Sequence, residues 1–81
     1  LSVYPNPVDH TLIVHFIAEN FATLQMQLIN AQGSAVLEKT VEASVGENNI
    51  SVPVAALPSG VYALLLKNRG KVIGRARVIK Q

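Results

Sequence analysis

The stretch LPSGVY (Leu57–Tyr62) decides the fold, because it combines turn residues with a tyrosine that opens an apolar strand. Pro58 and Gly60 favour a turn, and the run VYALLLK (Val61–Lys67) is the most apolar in the chain. In immunoglobulin-type sandwiches, a tyrosine in this position donates its hydroxyl to a backbone group a few residues upstream, an arrangement called the tyrosine corner. We therefore predict a tyrosine corner at Tyr62; the alternative is an ordinary aromatic residue within a strand.

Outside this stretch, apolar and polar residues alternate along most of the chain, which is typical of half-buried β-strands. The segment Thr11–Ile17 is apolar at both parities, so we expect it to be covered on both faces. The segment Ser34–Glu42 is more polar and resembles a charged edge strand, and a turn is predicted at residues 45–48. The predicted strands are Leu1–Tyr4, Thr11–Ile17, Ala22–Leu28, Ser34–Glu42, Ile50–Val54, Val61–Lys67 and Lys71–Lys80. The predicted fold is all-β: a single immunoglobulin-like antiparallel β-sandwich of about seven strands.

Length and composition limit the chain to one small domain. A chain of 81 residues encloses one core, and 49% hydrophobic residues suffice to pack it. The absence of cysteine excludes disulfides and thiolate metal sites, and we predict no cofactor. A charged leader with an apolar run, or an apolar stretch near 18 residues, is missing. We therefore expect neither a signal peptide nor a membrane span, and interpret the chain as a piece of a longer protein.

Charge is distributed unevenly along the sequence. Five acidic residues against Lys39 give −4 up to residue 66, and the six cations that follow give +6. This basic segment indicates either a contact surface for an acidic partner or a solvated last hairpin. It lacks the interleaved aromatic residues and the recognition helix of nucleic-acid-binding proteins, so we predict no nucleic-acid partner.

The sequence offers no catalytic constellation. His10 and His15 have one nearby carboxylate, Asp9, which is too few ligands for a zinc site. The serines lack a nucleophile elbow, and the carboxylates are scattered over separate segments. We therefore predict that the chain is not an enzyme.

The start of the chain carries a second distinctive motif, YPNP (Tyr4–Pro7). Its two prolines must end the first strand early, and we expect that strand to lie at a sheet edge. YPNP, a hairpin turn with Gly33, and the LxxGxY element that begins at Leu57 together resemble the type A C-terminal sorting domain of the type IX (Por) secretion system of Bacteroidota. The resemblance covers nearly the whole chain and gives Tyr4, Pro5, Asn6, Pro7, Gly33 and Leu57 structural roles. The chain departs from the family at Asn30, where an acidic residue is common, and at Arg75 and Arg77, where lysines are common.

This resemblance implies that residues 1–81 form a secretion signal for an attached N-terminal cargo. Such domains stay folded in the periplasm and dock on the outer-membrane translocon by their C-terminal portion. A sortase-like cysteine protease then usually removes them, and the cargo reaches the cell surface or the medium. The residues implied in translocon recognition are Gly60, Tyr62, Gly70, Lys71, Arg75, Arg77 and Lys80.

The physical mode expected for that recognition is strand addition to the terminal hairpin, helped by its exposed cations. The alternative reading is an accessory module of fibronectin or carbohydrate-binding type, which needs exposed aromatic residues or a calcium cluster.

Overall fold

The computed structural model describes residues 1–81 and contains seven β-strands and no helix. A three-stranded sheet has the order β1-β2-β5 and a four-stranded sheet has the order β4-β3-β6-β7, with every strand pair antiparallel. The predicted seven-stranded antiparallel sandwich is confirmed. The strands are β1 (Ser2–Tyr4), β2 (Thr11–Ala18), β3 (Ala22–Ile29), β4 (Ala35–Ala43), β5 (Gly46–Pro53), β6 (Gly60–Asn68) and β7 (Lys71–Lys80).

The core lies between the two sheets and is built from alternate residues of the strands. Period-two alternation turns every second side chain inward, and the inward residues of both sheets form one cluster. Leu64 of β6 is fully buried in it, so truncation to alanine would cost about 2–5 kcal/mol. The cluster contains Val8, Leu12, Val14, Phe16, Leu24, Met26, Leu28, Val41, Ala43, Val52, Val54, Tyr62, Leu64, Leu66 and Val78.

The tyrosine corner is confirmed. Tyr62 is buried, and its hydroxyl donates a 2.6 Å hydrogen bond to the carbonyl oxygen of Pro58. Pro58 lies in the loop that crosses from β5 in one sheet to β6 in the other. The corner therefore ties this crossing to the core.

The link between β4 and β5 is shorter than predicted. A turn joins the two strands, as predicted, but its predicted bounds of residues 45–48 are wrong, because β5 begins at Gly46 and only Ser44 and Val45 separate the strands. The buried side chain of Asn48 explains this: its amide accepts from the Ser44 N–H and donates to the Ser44 and Gly46 carbonyl oxygens, all at 2.9–3.1 Å. In the sequence, Asn48 resembles a turn residue. In the structure it belongs to β5, and its buried side chain fixes the backbone of the link by hydrogen bonds.

The outer face of β2 is also different from the prediction. Ile13 and His15 are half-buried, and Ile17 is 70% exposed. The expected cover on both faces is therefore wrong, because no element packs on the outer side of the three-stranded sheet.

The two outermost strands of the four-stranded sheet are protected in different ways. At β7, the segment of residues 6–8, which we call the edge cover, pairs with the free side of the strand. The Asn6 side chain donates to the Arg77 carbonyl oxygen and accepts from the Ile79 N–H, each at 2.8 Å. The Val8 N–H donates to the Ile79 carbonyl at 2.8 Å, and the Val8 carbonyl accepts from the Gln81 N–H at 2.9 Å.

The edge cover explains the YPNP motif. Both X–Pro peptide bonds of the motif are cis. Pro5 and Pro7 have no backbone donor, so the amide side chain of Asn6 supplies the donor and the acceptor that a strand residue would present. β1 ends at Tyr4 and lies at the edge of its sheet, as predicted.

At β4, the protection is a charge. Lys39 is the register partner of buried Met26, so its side chain starts on the inner face, yet it remains exposed. Its Nζ donates to the Ser51 carbonyl oxygen of β5 at 3.3 Å, across the open side of the sandwich. An inward-pointing lysine on an edge strand opposes pairing with another chain.

Candidate recognition surface

The outer face of the four-stranded sheet carries an apolar row along β6. Because Tyr62, Leu64 and Leu66 point into the core, the alternate residues Val61, Ala63 and Leu65 point outward. Val61 is 44% exposed, Ala63 is exposed and Leu65 is half-buried. We call these three residues the apolar row. The outer face of an antiparallel sheet is normally polar, so the row is an exception that needs a reason.

Two arginines flank the apolar row on the side of β7. Arg77 is the register partner of Ala63, and Arg75 is the register partner of Leu65. Both are exposed, and no Asp or Glu carboxylate lies within 4.0 Å of any lysine or arginine in the chain. The single acid–base contact is between His15 Nε2 and Glu47 Oε1, at 3.6 Å. The two guanidinium groups are therefore free to meet an acidic partner.

The opposite side of the same face is acidic. Glu38 and Glu42 of β4 are exposed and accept hydrogen bonds from Gln27 at 2.8 Å and Thr23 at 2.9 Å. Since neighbouring strands lie about 4.8 Å apart, roughly 14 Å separates the β4 backbone from that of β7. The face thus runs from a basic side through the apolar row to an acidic side.

A shallow depression of about 460 Å³ is lined by the apolar row and the two arginines, together with Ile29 and Ala31. It continues toward the turn after β3 and the loop residues Pro58–Gly60. Asn30 holds that turn, because its Oδ1 accepts from the N–H groups of Gln32 at 3.1 Å and Ser34 at 2.9 Å. Gly33 adopts φ +87°, a conformation that favours glycine.

The residues predicted for translocon recognition do not form one patch. Gly60 and Lys80 are register partners at one end of the β6–β7 hairpin, whereas Gly70 and Lys71 lie at the other end. Ten residues of β7 separate the ends by roughly 30 Å. Tyr62 is buried and its hydroxyl is occupied by Pro58. The exposed members therefore fall into separate groups: Arg75 and Arg77 stand together on the outer face of the sheet, Gly70 and Lys71 at the hairpin turn, and Gly60 at the opposite end.

Lys80 does not contribute an exposed charge. Its exposure is 8%, and its Nζ donates to the main-chain oxygen of Gln81 at 2.6 Å. The expectation that the last hairpin exposes all its cations is wrong at this position. Lys80 continues the inward alternation of Ala76 and Val78. Its position in the strand therefore indicates an inward side chain, whereas its charge suggests an exposed one.

The free edge expected for strand addition is partly closed. The edge cover pairs with the main-chain N–H and C=O groups that point away from β6, from Arg77 to Gln81. The first half of β7 remains uncovered, although Leu1 lies beside Gly74, where an added methyl group would come within 3.1 Å of its Cδ2. A partner strand can therefore not pair with the whole of β7 while the cover is in place.

The remaining motif residues have structural contacts. The Tyr4 hydroxyl donates to Asn49 Oδ1 at 3.3 Å. Leu57 packs against the core cluster, and its N–H donates to the Val54 carbonyl oxygen at 3.0 Å. These contacts support the structural roles that the resemblance implies for both residues.

Other classes of site have little support in the geometry. No group of three or more His, Asp or Glu side chains is placed to hold a metal ion. The structure contains no helix with the length and apolarity that a membrane crossing requires. Phe21 is 77% exposed, but it lines its depression without a second aromatic residue.

Comparison with protein families gives one match. A family model described as the secretion system C-terminal sorting domain is similar to this chain over residues 2–81. No curated protein matches the chain. The matched range includes both the edge cover and the apolar row.

Proposed function

This chain belongs to the family of secretion system C-terminal sorting domains, which are type IX secretion signals, and on that premise we propose how it works. A sorting signal of this type implies export to the cell surface or the medium. In our proposal, the domain directs an attached N-terminal cargo through the outer-membrane type IX translocon, and a sortase-like cysteine protease then removes it.

The observation that carries the proposal is the match over residues 2–81. The family is a signal family and not a catalytic one, so recognition must come from the surface of the folded domain. Arg75 and Arg77 are the first contact with a translocon component, because they are exposed, free of carboxylates and adjacent to the apolar row. Gly60 lies at one end of this surface. Gly70 and Lys71 form a separate contact at the hairpin turn. The buried side chains of Tyr62 and Lys80 support the surface of Arg75 and Arg77 from inside the domain.

The domain passes through the periplasm folded, and the protease cuts upstream of it. The edge cover supports this order of events, because it ties residues 6–8 to the last strand. A cut within residues 6–8 would have to break that pairing first, whereas a cut in the preceding segment would not.

A reporter fusion tests the sorting function. Residues 1–81 are joined to a fluorescent reporter with a secretory signal peptide, and the fusion is expressed in a type IX-competent bacterium. We expect the reporter at the surface or in the medium, with the label cleaved from it. A reporter that stays in the periplasm although its label is folded would overturn the proposal.

Charge variants test the recognition residues within the same assay. Arg75→Gln with Arg77→Gln should reduce export at least tenfold, because it removes both free guanidinium groups. Lys67→Gln with Arg69→Asn removes the same charge elsewhere, and asparagine suits the positive φ of 53° at position 69. Equal export by the two pairs would reject the assignment of Arg75 and Arg77. Deletion from Leu57 onward is a poorer test, since it removes β6 and β7 and with them the fold.

The alternative of a carbohydrate-binding module rests on Phe21, the most exposed aromatic residue. A sugar-binding face normally presents more than one aromatic ring. Calorimetric titration with soluble glycans, with Phe21→Ala as the control, would support this alternative if binding depended on Phe21.

A further inference from the structure

We propose that the apolar row and its two arginines bind an acidic, amphipathic protein segment, which presents apolar side chains in one line and carboxylates along one side. This inference rests on the sorting function and names the chemistry of the partner at that surface. It starts from the row itself: Val61, Ala63 and Leu65 lie at alternate positions of one strand, which places the first and last about 13 Å apart. Burying such a line against a partner removes apolar surface from water.

The arginines fix the charge of the partner. Arg75 and Arg77 lie on one face of β7, about 7 Å apart along the strand, and each stands beside a residue of the row. A guanidinium group binds a carboxylate through two parallel hydrogen bonds. A segment that carries carboxylates at a similar spacing, next to its apolar line, would match both groups without rearrangement of the sheet.

The acidic side of the same face argues against a lipid surface. A flat anionic membrane would meet Glu38 and Glu42 together with Arg75 and Arg77, because all four point outward from one sheet. A narrow segment laid along β6 meets the row and the arginines and leaves the β4 carboxylates in water. The charges of this face therefore suit a narrow protein segment along β6 better than a flat anionic membrane.

A second copy of this chain is also a poorer occupant. Four strands about 4.8 Å apart and about 25 Å long present roughly 500 Å². Stable interfaces bury about 800 Å² on each partner. A face-to-face pair of these sheets would fall short of the area of a stable dimer unless further elements joined the contact, whereas a sorting signal needs only a transient contact, for which a smaller area suffices.

Site-specific photo-crosslinking in exporting cells tests the proposal. The probe is p-benzoylphenylalanine, placed at Ala63 in the reporter fusion, with the same probe at exposed Ser51 on the other sheet as the control. We expect an adduct from position 63 and not from position 51, and mass spectrometry of the adduct should show a peptide with apolar residues flanked by Asp or Glu. An adduct with lipid, with a second copy of the chain, or with a segment that lacks carboxylates would overturn the proposal.

A charge exchange makes the test specific. Arg75→Glu with Arg77→Glu should lower the adduct yield at least tenfold. Replacing the carboxylates of the captured segment by lysine should restore it. Failure to restore the adduct would show that these charges do not meet.

Export of the unaltered fusion, measured in the same cells, separates the two proposals. Export without the predicted adduct overturns the partner chemistry and leaves the sorting function standing. A folded label that is not exported overturns the sorting function itself.

Discussion

The two edge strands of the four-stranded sheet, β4 and β7, are protected against pairing with another chain by different means. At β7, the edge cover makes four hydrogen bonds with the strand, whereas at β4 a single inward lysine guards the open side. Pairing satisfies the main-chain groups of the edge and fixes the chain start against the last strand. A charge only makes pairing unfavourable. We infer that the β7 edge contributes to folding stability and that the β4 edge contributes mainly to solubility.

Truncating the anchor of the edge cover should give the largest effect. Val8 is fully buried, and Val8→Ala removes two methyl-sized groups worth about 0.8 kcal/mol each and leaves a cavity, so we expect a loss of about 2 kcal/mol. Urea denaturation measures it. Val36→Ala on β4 is the matched control, because Val36 is 38% exposed and should change stability by less than about 0.5 kcal/mol. Similar losses at both positions would contradict the difference between the edges.

Removing the side-chain pairing of the cover should have the next largest effect. Asn6→Ala deletes two exposed hydrogen bonds worth about 0.5 kcal/mol each, and Asn6→Asp keeps the acceptor for the Ile79 N–H but loses the donor to Arg77. We expect Asn6→Ala to be the more destabilising and to speed hydrogen exchange at the Ile79 amide. Unchanged exchange at Ile79 would show that the cover does not protect this edge.

The tyrosine corner lies away from both edges, so a substitution there gives a loss of stability with which the edge variants can be compared. Tyr62→Phe removes the 2.6 Å hydrogen bond to Pro58 and keeps the ring. We expect a loss of about 1 kcal/mol, which lowers the thermal midpoint of a domain this small by roughly 4–8 °C. An unchanged midpoint would mean that the hydroxyl contributes nothing to the crossing between sheets.

The β4 edge should show the smallest change in stability and a distinct change in association. Lys39→Thr should alter the free energy of unfolding by less than about 0.5 kcal/mol and increase concentration-dependent self-association, measured by sedimentation velocity. Lys67→Thr, which removes a cation from the central strand β6, should not increase association. If both variants stay monomeric, the charge at β4 is not what protects that edge.

Local patterns predicted most of the architecture. Alternation, together with the apolar runs at Thr11–Ile17 and Val61–Lys67, located the seven strands. The LPSGVY stretch predicted the hydrogen bond from Tyr62. These signals depend on residues close in sequence. The same alternation placed Lys80 inward, but its charge suggested a surface role. The outward parity of Val61, Ala63 and Leu65 is also visible in the sequence, but an apolar run alone does not distinguish a strand buried on both faces from one with an exposed apolar row.

The edge cover could not be predicted in the same way. Asn6 pairs with a residue 73 positions away, and no local period connects the two. The short link held by Asn48 was missed for a related reason, because polar side chains that bond the backbone from inside look like ordinary turn residues.

The long span between Asn6 and Ile79 also has a consequence for the order in which the chain is made. A ribosome delivers residue 6 well before residue 79, so the nascent domain cannot complete its first motif until its last strand has emerged. A polypeptide that stops before Arg77 leaves Val8 uncovered and the amide of Asn6 without its partners. The closed domain therefore forms only when its last strand is present, and a product truncated before Arg77 lacks the form that a receptor for the intact label would recognise.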